Sequence, residues 1–130
     1  MSTDTRFLGI DYGDARIGVA VSYGTLAEPL IVLPNDGTHW DRLREISLEY
    51  KITHLVVGQS ENEMAEKSRQ FAQELAETLG LPLAMMDETL SSKEVDTKLR
   101  STRIGKRQHR GPIDHYAAAV ILQRYLDEEW

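Results

Sequence analysis

Between Leu8 and Val21 two apolar runs flank the four residues Gly13-Asp14-Ala15-Arg16, and the first run carries an aspartate, Asp11, in its interior. Short apolar runs joined by a hairpin-length link with a turn-forming Gly-Asp pair predict two antiparallel strands, Phe7 to Tyr12 and Ile17 to Ser22. An isolated hairpin is marginal in water, so this stretch demands a larger sheet and a covering layer. Asp11 adds a second constraint. A carboxylate inside a strand is costly to bury unless something positive compensates it, which makes Asp11 the first candidate for chemistry.

The rest of the chain supplies the sheet and its cover. Leu30 to Leu33, between Pro29 and Pro34, predicts a third strand and an antiparallel meander. Thr38, with Asp41 three residues later, reads as the N-cap of a helix carrying Trp40, Leu43, Ile46 and Leu48 and ending near Tyr50. Ile52 to Val57, stopped by Gly58, is a buried-type strand. Ser60 to Glu63 is a capping box opening a helix through Leu79, and Gly80 is its C-terminal cap. Leu81 to Met86 is a further strand that ends in Asp87-Glu88, and Ser91 to Glu94 caps a brief helix to about Leu99.

A basic segment follows, and Ile113 to Leu126 predicts a last helix whose Ala117-Ala118-Ala119 run permits close packing on a sheet. The order βββ, α, β, α, β, short α, basic loop, α predicts one α/β domain over residues 1–130. Its architecture is a five-stranded mixed sheet with helices on both faces, strand 4 beside strand 1 and strand 5 beside strand 4. Trp40, Met85 and Met86 are expected in its core.

Composition narrows the function classes. A chain of 130 residues forms one core, and 41% hydrophobic with 28% charged residues is ordinary for a globular domain. There is no cysteine, which excludes disulfides and thiolate metal sites. No window approaches the roughly 18 apolar residues of a membrane span, and no charged leader precedes an apolar stretch, so a cytoplasmic protein without a membrane partner is expected. A net charge of −6 argues against non-specific coating of nucleic acid. Any such contact must be local, and the sequence has a place for it: Lys98, Arg100, Arg103, Lys106, Arg107 and Arg110, with no acid between Asp96 and Asp114.

Three acids fall where strand ends and a helix start would converge: Asp11 in the first strand, Glu88 just beyond the fifth, and Asp114 in the first turn of the last helix. Clustered carboxylates without matching cations are hard oxygen ligands that suit Mg²⁺ or Mn²⁺. Two such ions about 3.5–4 Å apart clamp the attacking and leaving oxygens of a phosphodiester. The basic segment before Asp114 would hold the phosphate backbone.

Plainer roles stay open for each residue. Asp11 also fits a turn-shaping acid, Asp114 a residue complementing the helix dipole, and the basic segment a solvated charge run. Arg16 reads either as a phosphate ligand or as a partner of Asp14. Asp87 and Glu88 face opposite sides of an extended chain. His109 and His115 lack metal-ligand partners at helical spacing and read as solvent-facing or as phosphate contacts.

The motifs IDYGDARIGVAVS, VVG at 56–58, DETLSS at 87–92 and DHYAAAVIL at 114–122 resemble, in order and over nearly the whole chain, the YqgF (RuvX) family of RNase H-like proteins. That family is described as Holliday-junction resolvases and as nucleases maturing the precursor of small-subunit ribosomal RNA. The resemblance implies an RNase H-like fold and a metal-dependent endonuclease, with the family's acids on Asp11, Glu88 and Asp114. It implies structured RNA or branched DNA as partner and a monomer or homodimer. One departure stands out: where the family usually has a Leu-Pro-rich loop with an Asn and a Gly, this chain has the shorter, more acidic Gln59-Ser60-Glu61-Asn62-Glu63.

Two other readings compete. A non-catalytic nucleic-acid or ribosome-associated module with the same fold would explain the altered loop. An actin- or sugar-kinase-type ATP-binding unit also begins with Asp-x-Gly in a βββ meander, although such enzymes close two domains around the nucleotide and 130 residues supply one.

Overall fold

In the structure, a computed structural model, residues 5–59, 63–87 and 114–129 are described, the side chains of 63, 87, 114, 115 and 129 excepted. The elements are β1 (Phe7–Tyr12), β2 (Arg16–Tyr23), β3 (Leu26–Pro34), α1 (His39–Glu49), β4 (His54–Gln59), α2 (Glu63–Leu79), β5 (Leu83–Asp87) and α3 (Asp114–Glu129). They form one five-stranded sheet in the order β3-β2-β1-β4-β5. The first three strands are antiparallel neighbours, and β4 and β5 run parallel to β1. This is the mixed α/β sheet that the sequence predicts. The brief helix near 91–99 and the basic loop lie outside the described residues.

Strand alternation sorts the core into two faces. Leu8, Ile10, Ile17 and Val19 pack with Leu43 and Ile46 of α1 and with Phe71, Ala72 and Leu75 of α2. Phe7, Ala20 and Val56 face the other way, onto Ala118, Ile121, Leu122 and Leu126 of α3. Met85 joins the first cluster and Met86 the second, so neighbouring residues of one strand serve opposite faces.

Several boundaries differ from the sequence expectation. β3 spans Leu26–Pro34 rather than 30–33 and includes both prolines. It is an edge strand, and its register with β2 shifts between Val19 and Ala20, which are the settings in which a residue without an N–H donor is tolerated. β4 is displaced to His54–Gln59, and Gly58 does not stop it because the strand goes on pairing there, Gly58 with Met86 of β5. β5 starts at Leu83, since the amide of Leu81 still donates to the carbonyl of Ala76 in the α2 terminus. Thr38 does not cap α1 through its side chain. Its hydroxyl and amide both donate to Asp36 Oδ1, which draws the Asp36 carboxyl below its ordinary pKa. Gly80, at φ +67°, ends α2 as expected, and its amide reaches the carbonyl of Ala76 at 2.8 Å.

Candidate active site

The site is built around the carboxyl end of β1. In the hairpin the Gly13 amide donates to the Arg16 carbonyl at 3.0 Å. A Cβ on Gly13 would sit 2.8 Å from that same oxygen, so only glycine closes this turn without a shift. The Asn35 side chain donates to the Gly13 carbonyl at 2.8 Å and fastens the hairpin to the end of β3. Asp14 is held by Lys67 Nζ of α2 at 3.2 Å, between exposed side chains.

Asp11 is half-buried and shares the face of Phe7 and Gly9, the face that α3 covers. Gly9 brings the helix unusually close: a Cβ there would lie 2.8 Å from Leu122 Cβ and 3.2 Å from the Ala118 carbonyl oxygen. The ring centroid of Phe7, at the start of β1, lies 5.6 Å from that of Tyr125 near the far end of α3. The helix therefore runs antiparallel to β1, and its first turn, beginning at Asp114, stands at Asp11's end of the strand. Asp11 pairs across the sheet with Gly18 of β2. On the other side the β1–β4 ladder pairs Ile10 with Val57, so Gly58 comes next at the level of Asp11. Neither neighbour carries a side chain, and Asp11 stands between two bare backbone positions.

Of the residues that the sequence nominates, Asp11 lies within β1 and Asp114 opens α3, two elements packed on each other through Gly9. Arg16 opens β2, opposite Pro34, and is exposed. Glu88 follows the last residue of β5 and lies outside the described residues, as do Lys98, Arg100, Arg103, Lys106, Arg107 and Arg110. Among the described residues no group of three His, Asp or Glu side chains forms a metal cluster. The glycines Gly9, Gly18 and Gly58 are the part of the site that sequence reasoning missed. Gly9 and Gly18 carry a signal, since each occurs inside a strand pattern, where glycine marks a close approach, whereas Gly58 reads from the sequence as a strand stop.

The chain's relatives bear on this arrangement. A family model described as "RuvX: Holliday junction resolvase" matches residues 5–128. The chain belongs to the RuvX family. RuvX relatives include a protein from Anaeromyxobacter sp. (strain K), 37% identical over 132 residues that cover 94% of this chain and 96% of the relative. Another, from Geobacillus thermodenitrificans, is 38% identical over 136 residues, covering 95% and 99%. Both carry the name "Putative pre-16S rRNA nuclease". Among solved structures, T. thermophilus RuvC in complex with a Holliday junction substrate superposes with a TM-score of 0.67 at 16% identity, covering 94% of this chain and 93% of RuvC. That likeness establishes the RNase H-like fold of this RuvX chain. Among the described residues, no helix is long and apolar enough to cross a membrane.

Proposed function

We propose that this protein is a Mg²⁺- or Mn²⁺-dependent endonuclease that hydrolyses phosphodiester bonds in structured nucleic acid, either precursor small-subunit rRNA or branched DNA. The observation that carries the reading is the packing of Gly9 against Ala118 and Leu122, because it sets the first turn of α3 beside the strand end that holds Asp11. Asp11, Glu88 and Asp114 are the ligands. The resemblance of the DETLSS motif at 87–92 to the family's third motif supports Glu88 over Asp87.

The donor set fits such a cation. It is all carboxylate oxygen in a chain without cysteine, and Asp11 reaches into half-buried surroundings whose neighbours on both strands are glycines. A bound Mg²⁺ or Mn²⁺ would supply Lewis-acid polarisation of the phosphoryl group and orientation of the groups around it. The chain's own part is positional. The sheet and α3 hold the carboxylates together, and Arg16 with the cations between Lys98 and Arg110 grips the phosphate backbone. Names of the RuvX relatives support the nuclease activity, and the local basic run supports a nucleic-acid partner for a chain that is acidic overall. Cutting both strands of a two-fold symmetric junction calls for a homodimer, whereas processing one RNA end does not.

The test is cleavage of a four-way DNA junction and of a ribosomal-RNA precursor, side by side, across a Mg²⁺ and Mn²⁺ titration. Cleavage is expected with either cation and is expected to stop on chelation. Asp11→Asn should abolish it while leaving the melting temperature in place. Undiminished cutting by that variant contradicts the assignment.

A further inference from the structure

On the sheet face opposite Asp11 the structure contains a cleft of about 230 Å³ that the nuclease reading does not use. It is lined by Tyr12, His39, Trp40 and Phe71, with Lys67 and Glu74 at its exposed rim. Three features distinguish it from an ordinary surface fold. Its walls are stacked rings: Tyr12 lies on Phe71 with centroids 4.4 Å apart and planes 24° apart, and Trp40 meets Phe71 at 5.3 Å. Tyr12 and Trp40 are only half-buried, so aromatic surface stays open to the cleft.

The second feature is His39, which is 5% exposed. Its Nδ1 accepts the Gly37 amide at 3.2 Å, which fixes the proton of the neutral ring on Nε2. That Nε2–H has no hydrogen-bond partner among the described residues. Burial holds the ring neutral by lowering its pKa, against the opposing pull of Asp36 and Glu74. Glu74, across the cleft, is an acceptor. The third feature is place: Tyr12 directly follows Asp11, so the cleft opens at the same strand end as the proposed nuclease site.

The volume falls below the roughly 300–1,000 Å³ of pockets that engulf a whole ligand and suits one planar ring system. Open aromatic faces with a donor and an acceptor at the edge match a base carrying an exocyclic amino group, such as adenine or cytosine. We propose that this cleft captures one unpaired base of the substrate strand, stacking it on Trp40 and Tyr12 and reading its edge with His39 Nε2–H and the Glu74 carboxylate. Lys67, now paired with Asp14 at 3.2 Å, stands at the rim where the adjoining phosphate would pass. The proposal rests on the nuclease reading for its ligand and refines it: the substrate is a strand with an unpaired base a short step from the bond that is cut.

The experiment uses the full chain carrying Asp11→Asn, which is expected to bind without cutting. Its affinity is measured for an RNA duplex with one unpaired 2-aminopurine and for the same duplex fully paired, with DNA versions of both in parallel. Stacking on an aromatic platform predicts about ten-fold tighter binding of the bulged duplex and quenched 2-aminopurine fluorescence. His39→Phe keeps the ring volume and removes the donor, Trp40→Leu removes the platform, and each should erase the preference while leaving affinity for the paired duplex unchanged. Trp40→Phe should retain most of it. Equal affinity for bulged and paired duplexes overturns the proposal, as does a preference that survives both His39→Phe and Trp40→Leu in folded protein. Absence of binding to either duplex also overturns it. Cleavage of the same substrates by the unsubstituted chain reports on the nuclease reading separately: a preference without cutting sinks that reading alone, and cutting without any preference sinks the base-capture proposal alone.

Discussion

Adjacent residues of β1, Asp11 and Tyr12, look out on two faces of the sheet that are built in opposite ways. On the Asp11 face a single helix presses so close that Gly9 has no room for a Cβ, and Ala118 is fully buried at the contact. On the Tyr12 face two helices are held off by large side chains, Leu43, Phe71 and Leu75, and their aromatic edge leaves a cleft. Small residues fix backbone positions to within tenths of an ångström, because no rotamer can absorb a change. Large ones supply stability and adjustable surface. The molecule places its proposed carboxylate site on the first kind of packing and most of its apolar burial on the second.

Substitutions on the two faces should therefore separate activity from stability. The largest effect expected is from Asp11→Asn, which should abolish metal-supported cleavage, with the thermal unfolding midpoint little changed. On the opposite face Leu75→Ala should do the reverse. Leu75 is fully buried, so the change should cost roughly 2–5 kcal/mol of unfolding free energy in a denaturant titration. Cleavage measured well below the lowered midpoint should stay within a few-fold of the original.

Gly9→Ala sharpens the comparison, because it adds one methyl group to the tight face. With Leu122 Cβ only 2.8 Å from the new atom, α3 must move. The loss of stability should be about 1–3 kcal/mol, and cleavage should fall by more than that loss explains. If cleavage instead follows stability alone, as for Leu75→Ala, the helix contact does not position the site.

The smallest effect expected is a pH effect on the cleft side. Burial lowers the pKa of His39 from 6.5, so the unfolded chain binds a proton more readily than the folded one. Stability then falls as pH drops through the unfolded value, which a melting-temperature series against pH would read. His39→Phe should remove this step near pH 6.5. It should leave the acid limb to which Asp36 contributes, where a carboxyl with a lowered pKa loses its stabilising hydrogen bonds as pH falls below 3.8.

The sequence foretold the sheet better than it foretold the packing. Short apolar runs and the Gly13 turn led directly to β1 and β2, the order of elements led to the mixed sheet, and the Ala117-Ala119 run announced a helix lying close on it. The strand limits slipped where pairing overrode local punctuation, at Pro29 and at Gly58. Asp11 was legible because a carboxylate inside an apolar run needs an explanation. The role of Gly9 was not, since nothing local says which helix will cross a given glycine. The cleft was hidden for the same reason: Tyr12, His39, Trp40 and Phe71 come from three elements, and each alone reads as a core residue.

The central claim is that Asp11 and the first turn of α3 form one site, and a double-mutant cycle on Mn²⁺-supported cleavage addresses it most directly. Asp11→Asn, Asp114→Asn and the double variant are compared with the parent protein at saturating Mn²⁺. If the two carboxylates act as a unit, each single change removes nearly all activity and the double variant is no worse than either. Independent effects that multiply in the double variant, or near-normal cleavage by Asp114→Asn, would contradict a shared site.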